Sequence, residues 1–103
     1  MSKSVNPDQR QLRAIGHKLR PVVTVAGSGL TEGVVAELDR ALSDHELIKV
    51  KLAVGSREAK TATTRELCER LGAELIQAVG NIILVLRRNP RPDPRLSNLV
   101  RPL

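Results

Sequence analysis

A chain of 103 residues without a single Phe, Tyr or Trp has room for one modest core, built from Val, Leu, Ile and Ala. The missing aromatics exclude base stacking on a ring, so any nucleic-acid binding must rest on charge, backbone donors, Arg stacking and shape. A net charge of +6 and a pI near 10.5 favour a polyanionic partner.

The chain opens on a helix start, Asn6-Pro7-Asp8: a capping Asn, a Pro at the first helical position and an acid near the positive end. The helix should run from about residue 7 to 19 and stop before Pro21. Leu12, Ile15 and Leu19 share one stripe; Arg10, Arg13, His17 and Arg20 share nearly the opposite one. A first strand follows at 22–25.

Ala26-Gly27-Ser28-Gly29 then turns the chain into a second helix, capped by Thr31 and running to about residue 43. A glycine turn that opens a helix aims unpaired N–H groups and a positive dipole end at whatever lies in front, and phosphates bind there. The second strand, 46–54, alternates strictly. Ile48, Val50, Leu52 and Val54 fall on one face, and Leu47, Lys49, Lys51 and Ala53 on the other.

Ser56 should cap a third helix over 57–71, which Gly72 stops. A strand at 74–79, a tight Gly80-Asn81 turn and a strand at 82–87 complete a hairpin. The order αβαβαββ, with a right-handed parallel crossover and a closing antiparallel pair, predicts an α/β two-layer sandwich on a mixed four-stranded sheet. Lys49 and Lys51 argue that one sheet face is not buried under helices. Residues 1–88 form the domain; 89–103 read as a Pro/Arg-rich arm, extended and flexible, unless Leu96, Leu99, Val100 and Leu103 pack back.

Charge is polarised along the chain. Residues 1–30 carry about +4, 31–46 about −4, 47–60 about +3 and 87–103 about +4. The single cysteine, Cys68, excludes an internal disulfide and fits a reducing cytoplasm as a partly buried helix residue. No apolar run reaches membrane-spanning length.

Catalysis finds little support. His17 lies on the Arg stripe, and His45 reads as a capping or turn residue between Asp44 and Glu46. Two His and one Cys without close spacing make no metal site, and no cofactor is expected. Gly27, Gly29 and Gly33 come near a dinucleotide fingerprint, with Ser56 and Arg57 where a 2′-phosphate could sit. The chain is too short for both halves of such a fold, and the polar face of strand two does not suit a doubly wound sheet.

The stretch LTEGV at 30–34 followed by HELIKVK at 45–51, with GAELIQAVGNIILVLRR at 72–88, resembles the CRM domain family (chloroplast RNA splicing and ribosome maturation), most of all its stand-alone bacterial YhbY-type members. The resemblance covers about residues 7–88. It implies a fold similar to the C-terminal domain of translation initiation factor 3, RNA binding, and association with the precursor large ribosomal subunit. The family's GxxG loop aligns with residues 26–29, placing Ala26 where the first glycine usually stands; a positive φ there would strain it.

The expected function is therefore a non-catalytic RNA-binding protein of ribosome assembly, its partner the ribosomal RNA of the large subunit. Gly27, Ser28, Gly29 and Thr31 would hold phosphate. Arg10, Arg13, Lys18 and Arg20 would extend the contact along the first helix, and Lys49 and Lys51 along the sheet. The alternative is a protein-interaction adaptor on the ribosome, its acidic 31–46 segment meeting a basic protein; a small dinucleotide-binding domain stands third.

Overall fold

The computed structural model of the protein describes residues 7–100. Seven elements follow in the order expected: α1 (Gln9–His17), β1 (Pro21–Val25), α2 (Glu32–His45), β2 (Leu47–Leu52), α3 (Arg57–Leu71), β3 (Glu74–Val79) and β4 (Ile82–Leu86). The sheet order is β1-β2-β4-β3. β1 and β2 run parallel, while β4 is antiparallel to both β2 and β3.

Local chemistry sets the helix ends. Asp8 accepts a hydrogen bond from the Gln11 N–H at 2.8 Å, and the Gln11 side chain accepts from the Asp8 N–H at 2.9 Å. This reciprocal box satisfies two otherwise orphaned donors and starts α1 later than the Pro7 signal suggests. The expected cap, Asn6, lies outside the described residues. Thr31 and Ser56 cap α2 and α3 as read, each accepting from the N–H three residues on.

β2 separates two cores. Ile48, Val50 and Leu52 join Val23, Val25, Ile83 and Val85 under α2 and α3, which contribute Leu38, Leu42, Leu67 and Leu71. That half is the expected sandwich. Leu47 points the other way and joins Leu84, Leu86 and Ile76 under α1, whose Leu12 and Ile15, with Leu19 just beyond its end, must also leave water. The sheet face bearing the lysines is thus covered in part by α1, a third layer that the two-layer reading lacked. The approach is close: a Cβ on Gly16 would lie 2.5 Å from Leu84 Cδ2, so only glycine fits there without a shift.

Between α2 and β2 sits Glu46. It is 3% exposed and adopts φ 64°, ψ −49°, the one positive φ among the described non-glycine residues. A strand beginning at 46 is therefore corrected: the helix runs on to His45 and Glu46 reverses the chain. Such geometry costs about 1–3 kcal/mol and persists only when surroundings hold it. They do. The Glu46 N–H donates to Leu42 O and its carbonyl accepts from the Arg87 N–H. Its carboxylate accepts from the Asn89 N–H at 2.5 Å and from Ser97 Oγ at 2.6 Å.

The tail is accordingly docked through Leu99, not free, with Val100 left 48% exposed. Ser97 and Asn98 are buried, Asn98 donates from Nδ2 to Leu47 O at 2.7 Å, and Leu99 packs on the α1-side core. His45 Nδ1 meets Leu96 O at 2.8 Å, the role found for that histidine. At the tail's root the Arg87 guanidinium donates to Asp39 Oδ1, Asp39 O, Ser43 Oγ and Leu71 O, tying α2 to the end of α3. Arg87 therefore serves the fold and drops out of the basic arm. Leu103 lies outside the described residues.

Removing one partner of a buried charged hydrogen bond costs more than a neutral bond does. Glu46→Ala should lower unfolding free energy by about 2–3 kcal/mol and Ser97→Ala by about 1–2 kcal/mol. The double variant should cost less than the sum, because the two share one bond. Urea unfolding of the four proteins checks this; strict additivity would mean the bond contributes nothing.

Candidate nucleic-acid interface

The parallel register brings three turns to one end of the sheet. Val25 pairs with Leu52, and Ala53 N–H donates to Val25 O. Leu52 N–H donates to Asn81 O in the hairpin turn. The 26–31 turn, the 53–56 connection and the 80–81 turn thus form one rim.

In the first of these, Gly29 N–H donates to Ala26 O at 2.9 Å and Thr31 N–H to Gly29 O at 3.0 Å. The loop is closed by its own backbone. The N–H groups of Gly27, Ser28, Glu32 and Gly33 make no hydrogen bond among the described residues, and they point the donor-rich side of the turn and first helical turn outward. Gly29 alone in the loop has a positive φ, 79°. Ala26 does not, so the variant loop carries no strain at that position. The Glu32 side chain, in the first turn of α2, complements the same dipole end that would attract an anion.

Lys51 is exposed and lies one residue from this rim, opposite Thr24 of β1 and Ile82 of β4. Lys49 is half-buried, and with His17, Gln77 and Val79 it lines a hollow of about 280 Å³ beside the end of α1. The structure therefore brings His17, Lys49 and Lys51 onto one open patch. Lys18 and Arg20 are exposed in the link from α1 to β1. Arg10 and Arg13 are exposed too, on the amino-terminal part of α1, and do not line the hollow with Lys49 and His17.

Lys60 and Arg65, which sequence reasoning passed over, and Arg57, read there only as a 2′-phosphate candidate, line the side of α3 that meets the β3–β4 hairpin. Lys60 and Arg65 lie about 140° apart on the helical wheel, and a helix with charges all round hides which of them faces a groove. Cys68 is part-buried, and that burial raises its thiol pKa, so it stays a neutral thiol at pH 7. Among the described residues no group of His, Cys, Asp and Glu could hold a metal ion, and no helix is long and apolar enough to cross a membrane. The dinucleotide pattern loses its footing at Gly33: a Cβ there meets nothing within 4 Å, so the close helix–strand packing that fingerprint requires is absent.

Comparison with known proteins gives a consistent picture. The model of the CRS1 / YhbY (CRM) domain matches residues 6–87. A Pseudomonas aeruginosa protein named a probable RNA-binding protein is 53% identical over 93 residues, covering 90% of this chain and 89% of its own. A Haemophilus influenzae protein named RNA-binding protein is 41% identical over 85 residues, 82% and 86% of the two chains. The solution structure of a candidate RNA-binding protein from Staphylococcus aureus superposes with a TM-score of 0.72 at 28% identity, over 81% of this chain and 86% of that one.

The loop geometry separates its two glycines. Gly29→Ala forces an L side chain into left-handed backbone and should cost about 1–2 kcal/mol. Gly27→Ala meets open space at ordinary φ and should stay within about 0.5 kcal/mol of wild type. Parallel denaturant titrations measure both; equal losses would contradict the loop conformation.

Proposed function

Because the chain belongs to the CRS1 / YhbY (CRM) domain family, we propose that it is a non-catalytic RNA-binding protein acting on precursor large ribosomal subunits in the cytoplasm during ribosome assembly. The observation that carries the reading is the loop at 26–31, with unengaged N–H groups at the entrance to α2, next to exposed Lys51. Backbone N–H groups suit phosphate oxygens, and glycine lets the RNA backbone come close.

The unengaged N–H groups of Gly27, Ser28, Glu32 and Gly33 hold one phosphate, while Gly29 supplies the positive φ of the turn and Thr31 caps the helix behind it. Lys51 and Lys49 neutralise neighbouring phosphates along the open sheet face, and Lys18 and Arg20 continue the track. Arg10 and Arg13 reach a more distant strand of a folded RNA. The docked tail adds exposed Arg88, Arg91 and Arg95 at the far end as a fixed basic surface. Such contacts position the RNA without reading its sequence.

A second reading keeps one specific support. α2 places Glu37 and Asp44 beside Val22, itself 50% exposed, an acidic-apolar edge suited to a basic ribosomal protein. Gradient sedimentation with and without nuclease separates the two: an adaptor stays with its protein partner after the RNA is digested.

Affinity for structured ribosomal RNA should fall steeply with salt, since each neutralised phosphate releases counterions. Lys49→Ala/Lys51→Ala should reduce the slope of log affinity against log salt by about 2. Gly29→Asp should fold, because Asp tolerates left-handed backbone, yet lose most affinity by placing a carboxylate at the anion site. Filter binding over a salt series reads all three, and a flat salt response would refute the proposal.

A further inference from the structure

Between α3 and the β3–β4 hairpin runs a groove of about 610 Å³, the size of a small-ligand pocket. It follows one stripe of α3 from Arg57 to Glu69, about 18 Å at the helical rise per residue. Leu52 and Ile83 form its floor, and Leu75, 41% exposed, and Ala78 form the wall on β3. Arg57, Lys60 and Arg65 form the opposite rim. Their side chains make no ion pair among the described residues, unlike Arg70 and Arg87.

We propose that this groove takes single-stranded RNA, with one or two unstacked bases on the apolar floor and their phosphates on Arg57, Lys60 and Arg65. The inference rests on the RNA-binding reading, but it assigns a separate subsite on the sheet face opposite Lys49 and Lys51. A cationic rim over an apolar floor complements a nucleotide, which joins a flat apolar base to an anion. With no Phe, Tyr or Trp in the chain and no His lining the groove, a planar guanidinium is the stacking surface available. Glu69 closes the far end; it repels phosphate and can accept from a base amino group, which fixes the strand's direction.

Two features favour RNA over an acidic peptide. Strand addition is the usual way a peptide joins a sheet edge, but β3 carries a register shift between Leu75 and Gln77, and such a bulge breaks the regular ladder edge. The groove also opens at Gly80, on the rim shared with the 26–31 loop. Three strand spacings, about 14 Å, separate the outer strands β1 and β3. One extended RNA strand can therefore cross the rim from loop to groove.

The test uses the full chain with three probes: a mixed-sequence single-stranded RNA hexamer, a perfectly paired RNA hairpin, and an acidic leucine-containing peptide. The hexamer should shift the backbone amide resonances of Thr61, Leu75 and Ala78 in the wild-type protein. Ala78→Leu, which fills the groove without changing charge, should weaken hexamer binding about tenfold while leaving the hairpin within about twofold. Gly29→Asp should weaken both. If the hexamer binds without moving those amides, and Ala78→Leu changes nothing while Gly29→Asp still does, the groove assignment is wrong and the RNA-binding reading stands. If neither RNA binds the wild-type protein, both fall. Groove shifts caused by the peptide and not by the hexamer would assign the site to a protein partner and overturn the proposal. The wild-type amide map decides the matter even if Ala78→Leu does not fold.

Discussion

The period-two alternation of β2 is the constraint on which the rest hangs. This strand lies inside the sheet, between parallel β1 and antiparallel β4. One set of its side chains fills the core under α2 and α3, and the other supplies Leu47 to the smaller core under α1. The same alternation sends Lys49 and Lys51 to the face that α1 leaves open. A slip of one residue would drive both lysines into the main core and expose Ile48, Val50 and Leu52. Core packing and placement of the basic patch are thus one decision, made by a single strand.

Much of this was legible because the signals were local. Ser56 and Gly72 bracket α3, and Thr31 opens α2, since caps act on their own neighbours. The edges of β3 are marked by Gly72 and Gly80 in the same way. What could not be read were the features made by distant partners. No rule of spacing tells α1 to cross to the other side of the sheet; Gly16 permits it only because Leu84 lies opposite. Likewise the tail has the composition of a flexible arm, with four prolines in its last sixteen residues. Its anchor is a carboxylate buried at a helix end, where sequence patterns lead one to look for glycine. The candidate site divides similarly. The loop and the lysine alternation are sequence-local, whereas the α3 groove exists only once the hairpin has packed beside the helix.

The molecule's basic groups divide by employment. Arg87 and Arg70 are engaged with carbonyls and carboxylates of the fold. Lys51, Arg57 and Arg65 are exposed and without ion pairs among the described residues. Net charge alone does not distinguish these groups, so formal charge overstates what is presented to a polyanion. Polarity along the chain also becomes polarity in space: acidic α2 stands apart from the lysine patch, which disfavours binding modes that would lay phosphates across the helix.

The Glu46 anchor has a consequence for the order in which the molecule assembles. Its bond to Ser97 joins residues 51 apart in sequence, as do those from His45 to Leu96 and from Asn98 to Leu47. Contacts of that separation carry a large loop-closure cost and form after the local helices and the hairpin. Until they form, the smaller core lacks the Leu99 that packs against it, and a buried carboxylate lacks its donors. The strand that organises both cores is therefore sealed at its amino-terminal end by a segment about fifty residues further along the chain. Early folding intermediates should carry an open apolar notch at the pole opposite the glycine loop.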